Sequence, residues 1–248
     1  MTEKRLLLVK LGGSLLTDKT REQAFRPARA LRLMRELAAA GGPTVLVHGA
    51  GSFGHPQVKR NKAALAKSGP RQELAVATVL ESLRQLSSDV LHAADKAGLA
   101  ASPIGLDGRG LDANALREVR AALAVDRVPV LHGTLVRDGA AWRVLGGDEI
   151  VAGLAAALRP SLAIWATDVQ GFYDRDPRSG KATLLREARA VKVGRSGRGA
   201  DVTGRMGGKL EWAANAAKAC PTWIVGGHVP GRLAEALAGR PKGTQVVL

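Results

Sequence analysis

A glycine turn flanked by lysines is the first group of residues with the chemistry to bind a phosphate group. Gly12, Gly13 and Ser14 follow an apolar run, with Lys10 before the turn and Lys19 beyond it. Glycine lets backbone N–H groups approach an anion closely, and two ammonium groups could flank the same anion. Taken alone, a tight turn with solvated lysines explains this stretch better, so the prediction depends on the other loops.

A second stretch, TVLVHGAGSFGH, ends at His55 and places Gly49, Gly51 and Gly54 after a β-type run. This G-x-G-x-x-G spacing is typical of a dinucleotide-binding turn, which also needs an acidic residue about 20 residues further on, at the end of the next strand. The corresponding region has a helical pattern, and its only candidate, Glu73, would lie on that helix. The pattern therefore favours a loop for a different phosphate and raises the question of what His55 does.

A third glycine stretch, DVTGRMGGKL, leads into an alanine-rich helix that begins with Lys209. A glycine stretch that runs into a helix start beside a lysine is a natural phosphate site. It is not a P-loop, because no Ser or Thr follows the lysine. Asp148 also stands at a helix start, where a simple N-cap would explain it. Several lysine-bearing glycine loops suit phosphoryl transfer, which needs positive charge around the moving group.

The composition excludes several classes of protein. Aromatic residues make up 3% of the 248 residues and hydrophobic residues 46%, so we expect a core of Ala, Val and Leu. A single cysteine, Cys220, rules out an internal disulfide framework and favours a reducing compartment. No apolar run approaches the roughly 20 residues of a membrane span. We therefore expect a cytoplasmic protein with no membrane partner.

The formal net charge of +15 raises the question of nucleic acid binding. The excess is mostly arginine spread along the chain, and no run of five or more Lys or Arg occurs. Aromatic side chains that could stack on bases are scarce. The charge therefore favours anionic small substrates, and we expect no nucleic acid partner.

Strand-like and helix-like segments alternate along the chain, which predicts a mainly parallel sheet with helices on both faces. Ligands of such sheets bind at the carboxyl ends of the strands. We expect one α/β domain over residues 1–248, with an acceptor half over roughly 1–150 and a nucleotide half over 151–248. The predicted strands are Arg5–Leu11, Thr44–His48, Pro103–Leu106, Val128–His132, Ser161–Thr167, Thr222–Val225 and Gln245–Leu248, with hairpins over Thr134–Leu145 and Phe172–Leu185. The predicted helices are Pro27–Ala40, Gln72–Lys96, Ala113–Ala124, Glu149–Leu158, Lys209–Ala219 and Arg232–Leu237.

In order and spacing, these loops resemble the amino acid kinase family. The resemblance covers nearly the whole chain and is carried by KLGGSLLTDK, HGAGSFGHP, GGDEI, TDVQGFYDRDP and DVTGRMGGKL. It implies an open αβα sandwich around a mainly parallel sheet, and a homodimer. The histidine of GSFGH resembles the residue that holds the substrate phosphate in members acting on isopentenyl phosphate. The implied reaction is ATP-dependent phosphorylation of isopentenyl phosphate to isopentenyl diphosphate with Mg²⁺, which no protein side chain is expected to ligate.

The resemblance also implies roles for individual residues. Lys10 and Lys209 resemble lysines that stabilise the transition state, and Lys19 resembles the lysine that reaches the transferred phosphoryl group. Asp148 resembles the carboxylate that orients the lysines. The nucleotide-binding positions are Lys10, Gly12, Gly13, Ser14, Gly51, Asp168, Gly171, Tyr173, Gly204 and Lys209, and the acceptor-binding positions are Ala50, Gly54, His55 and Gly147. Arg205 departs from the family, which usually has glycine there, and we expect its side chain to point to solvent.

Two alternatives remain open at this point. Another small-molecule kinase of the family, such as a fosfomycin-type phosphonate kinase, also has a glycine loop with a histidine. A non-catalytic nucleotide-binding regulatory protein is the second alternative, although a pure binder would not need three lysines and Asp148. The apolar tail of the substrate needs a cavity; the candidates are Val76, Val79, Leu80 and Leu83, each of which could equally be plain core.

Overall fold

The first strand, β1 (Leu7–Leu11), lies in the middle of an eight-stranded sheet, in a computed structural model that describes residues 5–176, 180–189 and 204–248 (backbone only at 204–207). All five residues of β1 are buried, as a strand covered on both faces requires. It pairs in parallel with β2 (Thr44–His48) on one side and β7 (Leu162–Thr167) on the other. The winding direction of the chain therefore reverses at β1, the place where α/β sheets bind ligands.

The remaining strands extend the sheet on either side of β1, except for a separate antiparallel hairpin formed by β5 and β6. They are β3 (Ala101–Pro103), β4 (Val128–His132), β5 (Thr134–Asp138), β6 (Ala141–Leu145), β8 (Glu187–Arg189), β9 (Thr222–Gly226) and β10 (Gly243–Val247). The order in the large sheet is β3-β4-β2-β1-β7-β9-β10-β8, and every neighbouring pair is parallel except β9 with β10.

Helices cover both faces of the sheet. They are α1 (Gly13–Leu16), α2 (Pro27–Ala40), α3 (Gly51–Leu65), α4 (Pro70–Lys96), α5 (Ala113–Ala124), α6 (Gly147–Leu158), α7 (Gly204–Ala217) and α8 (Arg232–Leu237). One core joins Val9 and Leu11 of β1 to α2, α4 and α8, and the other joins Leu8 to α5, α6 and α7. Since side chains alternate along a strand, Lys10 lies on the face of Leu8. This arrangement confirms the predicted αβα sandwich.

Most predicted elements are present, and the differences are local. The short third strand is Ala101–Pro103 and not Pro103–Leu106, and the helices α4 and α6 each begin two residues earlier than predicted. The helix predicted over Lys209–Ala219 is Gly204–Ala217, so Lys209 lies within α7 and not at its start. In the segment Phe172–Leu185, Tyr173 forms an antiparallel bridge with Leu184, and residues 177–179 lie outside the described part. No helix in the described ranges is long and apolar enough to cross a membrane.

The main correction concerns the stretch after β2, for which the sequence predicts a glycine loop from Gly49 to Gly54. A helix, α3, already begins at Gly51, so Gly54 and His55 are helical residues. Pro56 lies inside this helix and cannot donate to the carbonyl of Ser52. The N–H of Gln23 takes that place, with an N···O distance of 3.2 Å to the Ser52 carbonyl. A contact from outside the helix therefore satisfies the carbonyl group that the proline leaves open.

Candidate active site

The turn after β1 and the start of α3 touch backbone to backbone at the carboxyl edge of the sheet. A Cβ atom added to Gly13 would lie 2.3 Å from the Gly51 nitrogen, and one added to Gly49 would lie 2.6 Å from the Gly13 nitrogen. Gly51 has φ +50°, and a Cβ there would lie 2.0 Å from the Thr17 hydroxyl oxygen. These three positions therefore have no room for a side chain, which explains their glycines.

Backbone N–H groups at three neighbouring places make no hydrogen bond to any protein atom within the described residues. They belong to Gly13, Ser14, Ala50, Gly51, Gly147 and Asp148. The places are the turn after β1 and the starts of α3 and α6. Helix starts carry partial positive charge, and free N–H groups there bind anions. These free N–H groups can therefore bind an anion at this edge of the sheet, and the role of the glycine turns in holding phosphate remains a prediction.

Asp148, in the first turn of α6, pairs with two lysines and accepts a hydrogen bond from a tryptophan, all at one carboxylate oxygen. Lys10 Nζ lies 2.9 Å and Lys209 Nζ 3.6 Å from its Oδ1 atom. The indole N–H of Trp165 donates to the same oxygen at 2.7 Å. Lys10 and Trp165 are register partners on adjacent strands, so the sheet itself brings them together. An added Cβ on Gly147 would lie 3.2 Å from Lys10 Cε, so this glycine leaves room for the lysine.

Burial and mutual repulsion shape the charges of this cluster. Burial, together with the nearby ammonium group of Lys209, lowers the pKa of Lys10 to about 8, although Asp148 opposes the shift. Burial raises the pKa of Asp148, but Lys10 and Lys209 outweigh it and keep that pKa below its ordinary value. The ammonium groups of Lys10 and Lys209 thus share one carboxylate, which leaves one positive charge unbalanced. This charge would favour the binding of an anion with several negative oxygens.

A second ion pair lies one residue after the end of β7. Lys19 Nζ is 3.0 Å from Asp168 Oδ2, and both side chains are about half exposed. Burial raises the pKa of Asp168, while hydrogen bonds from Lys19 and Ser14 outweigh it and lower the pKa. Lys19 is thus held near the turn after β1, where the sequence predicted it.

Two groups of predicted residues remain, one at the start of α3 and one beyond β7. Ala50 immediately precedes α3, and His55 is an exposed residue one turn into that helix. An added Cβ on Gly54 would come within 2.5 Å of the Ala50 Cβ and 3.2 Å of Leu83, so its small size serves the packing of α3 on α4. The predicted role of Gly54 in acceptor binding remains a prediction.

The predicted nucleotide positions beyond β7 contact a different part of the molecule. Gly171 packs against Thr244 of β10, where an added Cβ would lie 2.4 Å from the hydroxyl oxygen, and Tyr173 bridges to Leu184. These contacts explain the glycine through packing. Gly204 begins α7, while Asp201, Thr203 and the side chain of Arg205 lie outside the described residues.

Two residues that the sequence analysis did not select take part in the site. Trp165 donates to Asp148, and the signal was available, since the indole N–H of a buried tryptophan needs an acceptor. Thr17 donates to the Gly13 carbonyl at 2.8 Å and accepts from the N–H of Ser52 at 3.0 Å, which joins the turn after β1 to α3. No local pattern distinguishes Thr17 from any other threonine near a turn.

A cavity of about 370 Å³ lies between α4 and the β5–β6 hairpin. Val76, Leu80 and the ring of Trp142 form its apolar wall, with Arg84 and Arg137 among its charged neighbours. All four candidates for a tail cavity, Val76, Val79, Leu80 and Leu83, are buried in one cluster with Leu65 and Leu135. Two of these core residues, Val76 and Leu80, also line the cavity.

Comparison with known proteins agrees with this geometry. The model of the amino acid kinase family matches residues 5–226. Isopentenyl phosphate kinase of Thermoplasma acidophilum is 32% identical over 218 residues, which cover 83% of this chain and 84% of that protein. The enzyme of the same name from Methanothermobacter thermautotrophicus is 30% identical, with 97% and 98% covered.

The fold comparison gives the same answer. A crystal structure of the T. acidophilum isopentenyl phosphate kinase product complex superposes with a TM-score of 0.81 at 25% identity, covering 98% of this chain and all of the other. The matched family segment includes the turn after β1, the start of α3, Asp148 and Lys209. On its sequence, its fold and the lysine cluster around Asp148, the chain belongs to the amino acid kinase family.

Proposed function

We propose that the chain transfers the terminal phosphoryl group of ATP to isopentenyl phosphate, giving isopentenyl diphosphate and ADP. The observation that carries the proposal is the pairing of Lys10 and Lys209 on Asp148, beside free N–H groups from the turn after β1 and the starts of α3 and α6. The choice of isopentenyl phosphate as the acceptor is supported by relatives named isopentenyl phosphate kinase, at 30–32% identity.

The residues act by positioning and by charge, since phosphoryl transfer needs little covalent help from the protein. The N–H group of Ala50 holds the acceptor phosphate, and those of Gly13, Ser14 and Gly51 hold the nucleotide phosphates. Lys10 and Lys209 stabilise the charge that develops on the oxygens of the transferred group. Asp148 forms an ion pair with each lysine, which keeps their ammonium groups together despite their repulsion.

The residues present also fit a nucleotide bound with Mg²⁺. Within the described residues, no group of three or more His, Cys, Asp or Glu side chains could hold a metal ion. Asp148 and Asp168 already accept from lysines. When bound, Mg²⁺ would neutralise charge on the triphosphate, whose phosphate oxygens would supply ligands to it.

The broader organisation is part of the proposal. Residues 1–150 would bind the acceptor and 151–248 the nucleotide, with Asp168, Gly171, Tyr173 and Gly204 on the nucleotide side. We further propose a homodimer located in the cytoplasm, on the family resemblance and the single cysteine. Light scattering at micromolar concentration tests the dimer, and a mass near the 25.9 kDa of one chain would contradict it.

An ADP-release assay tests the proposed reaction most directly. Isopentenyl phosphate, fosfomycin and N-acetylglutamate are compared side by side at equal concentration with ATP and Mg²⁺. Of the three acceptors, we expect only isopentenyl phosphate to be turned over. Detection of the diphosphate product confirms the reaction. Preference for fosfomycin would favour a phosphonate kinase, and ATP binding without any turnover would favour a regulatory protein.

His55 provides a test at the level of the acceptor phosphate. It lies one turn into α3, whose free N–H groups favour an anion. A hydrogen bond to a charged group contributes about 1.5–3 kcal/mol, so His55→Ala should lower kcat/KM for isopentenyl phosphate by roughly 10- to 150-fold. His55→Gln should recover part of the loss, because an amide can still donate.

The matched control is His92→Ala, which removes another exposed helical histidine on α4. We expect this variant to behave like the wild type. The KM for ATP should barely change in any of the three variants. Wild-type kcat/KM in His55→Ala would remove the proposed contact between this histidine and the acceptor.

A further inference from the structure

Two histidines that the proposed reaction does not use lie side by side at the carboxyl ends of two parallel strands. His48 ends β2 and His132 ends β4, and the two residues are register partners. Their rings stack with centroids 5.2 Å apart and planes inclined by 29°. His48 is only 1% exposed, and the next residue, Gly49, is in backbone contact with Gly13. The buried ring of His48 therefore belongs to a residue three positions before the start of α3.

The surroundings of His48 determine which of its nitrogens carries hydrogen. Nδ1 lies 3.4 Å from the carbonyl oxygen of Gly49, a long hydrogen bond, and Nε2 is buried with no partner among the described residues. Burial and the neighbouring His132 lower the pKa of His48 to about 3, although the Gly49 carbonyl opposes the shift. The ring is therefore neutral. Since a carbonyl oxygen can only accept, the hydrogen belongs on Nδ1.

The Gly49 carbonyl belongs to the same peptide group as the N–H of Ala50. The structure has no cis peptide within its described residues, so these two groups point in opposite directions. The Gly49 N–H is held separately, by the carbonyl of Leu11 at 2.9 Å. With its amide nitrogen and its carbonyl both fixed, Gly49 has little freedom to rotate, and the direction of the Ala50 N–H is set. That N–H is one of the free donors at the start of α3.

We propose that His48 is a positioning residue for the acceptor site. Its Nδ1–H holds the Gly49–Ala50 peptide so that the Ala50 N–H points at the acceptor phosphate, while the stack on His132 keeps the ring in place. His132 is anchored in the same way, with its Nδ1 atom 3.0 Å from the Gly133 carbonyl. The inference rests on the proposed function for the identity of the acceptor, but the hydrogen bond itself does not depend on it.

Three substitutions separate the two ring nitrogens. His48→Asn places an amide donor near the position of Nδ1, His48→Gln places one near Nε2, and His48→Leu removes both. The net contribution of such a hydrogen bond corresponds to roughly a 3- to 10-fold effect on kcat/KM. We expect the Gln and Leu variants to lose this factor for isopentenyl phosphate, with the KM for ATP within twofold of the wild type. The Asn variant should stay within about twofold for both substrates.

The matched control is Leu46→Ala, which truncates another buried side chain on the same strand and the same face. It should lower the melting temperature and leave the acceptor kcat/KM unchanged. Equal losses in Asn, Gln and Leu, or an equal change in the KM for ATP, would overturn the inference. If the Leu variant does not fold, the comparison of Asn with Gln still decides.

The tautomer of His48 can be measured without substrate, so its test does not depend on the proposed function. Long-range ¹H–¹⁵N spectra of the wild type report which nitrogen of His48 is protonated. We expect a neutral ring with hydrogen on Nδ1 that does not titrate between pH 5 and 9. A hydrogen on Nε2, or titration near the ordinary histidine pKa, would overturn the inference. Lack of activity on isopentenyl phosphate would instead contradict the proposed function.

Discussion

At the scale of residues, the site depends on one carboxylate that holds two lysines together. A single oxygen of Asp148 accepts hydrogen bonds from Lys10 and Trp165 and forms an ion pair with Lys209. Without the carboxylate, burial and repulsion would lower the pKa of Lys10 further, because the opposing effect of Asp148 would be lost. The charge that the transferred phosphoryl group needs is therefore maintained by a residue that need not touch that group.

Replacing Asp148 by Asn tests this dependence. An amide can still accept from Trp165, but it carries no charge to offset the two ammonium groups. We expect kcat to fall by about 10²–10³, the range found when one stabilising interaction of a transition state is removed, with little change in the KM for ATP. Glu149→Gln is the matched control, since Glu149 is the next residue and pairs with Arg143 at 3.1 Å. Equal effects of both substitutions would contradict the role of Asp148.

The pKa of Lys10 predicts a pH dependence of activity. In the free protein its charge is lost as the pH rises through about 8. Because kcat/KM reports the free enzyme, kcat/KM for ATP should fall above that pH. A bound triphosphate favours the charged amine, so kcat at saturation should fall only at higher pH. A kcat/KM that stays flat from pH 7 to 9.5 would contradict this expectation.

The free energy of unfolding should rise with pH over the range in which kcat/KM for ATP falls. The pKa of Lys10 is about 8 in the folded protein and 10.5 as its ordinary value, so between these values the unfolded chain binds more protons. The contribution of Lys10 to the free energy of unfolding therefore rises with pH, by at most about 1.4 kcal/mol per pH unit. Denaturant unfolding at pH 8 and 10 measures this slope, and Lys10→Met should flatten it.

At the scale of elements, the contact between the turn after β1 and the start of α3 leaves no space for a methyl group. Gly13→Ala would place its Cβ 2.3 Å from the backbone nitrogen of Gly51. One of the two loops must then move, which should destabilise the protein by about 1–3 kcal/mol and lower kcat/KM for both substrates. Gly105→Ala, with no atom within 4 Å of its added Cβ, is the control. Comparable losses in both variants would contradict the argument.

Local patterns predicted the elements whose signals agree with one another. The helix α2 has an apolar stripe, a proline at its start and glycines after its end, and its predicted bounds are those observed. The helix α3 has contrary signals, with Gly51, Gly54 and Pro56 in its first six residues. Its start is stabilised by distant contacts from Thr17 and Gln23, which periodicity cannot reveal.

The candidate site was predictable in its residue types and only partly in its geometry. Sequence patterns predict Lys10, Asp148 and Lys209 at the ends of strands or helices. The family resemblance adds that the three residues act in one site. The contribution of Trp165 depends on its register with Lys10 across two strands 155 positions apart in the chain, Leu7–Leu11 and Leu162–Thr167, which a linear pattern does not contain. The same holds for the stack of His48 on His132, which depends on the pairing of β2 with β4.

At the scale of the whole molecule, the position of β1 explains how distant residues form one site. β1 lies between β2 and β7, so it separates the strands built from the first part of the chain from those built later. Lys10 comes from β1 itself, Asp148 from α6 and Lys209 from α7. A site assembled in this way forms only when β1, α6 and α7 have packed together, although they lie far apart in the chain.

The net charge of +15 leads to a prediction about partners. Dispersed arginines without aromatic stacking groups should bind nucleic acid only weakly and without preference for sequence. Gel-shift titrations at physiological salt with two unrelated duplexes should give equal dissociation constants, weaker than about 1 μM. Tight binding that distinguishes the two duplexes would contradict the assignment of this charge to small anionic substrates.

The glycine contact between the turn after β1 and the start of α3 also bears on how such an enzyme can diversify. It contains no side chains at Gly13, Gly49 and Gly51, so mutation has almost nothing to vary there without blocking the reaction. The cavity between α4 and the β5–β6 hairpin is lined by ordinary side chains, such as Val76, Leu80 and Trp142, that can change in size one at a time. Under the proposed function, in which this cavity would hold the apolar tail of the acceptor, selection for a new acceptor would act on this wall and leave the glycine contact unchanged. Specificity could then evolve separately from chemistry.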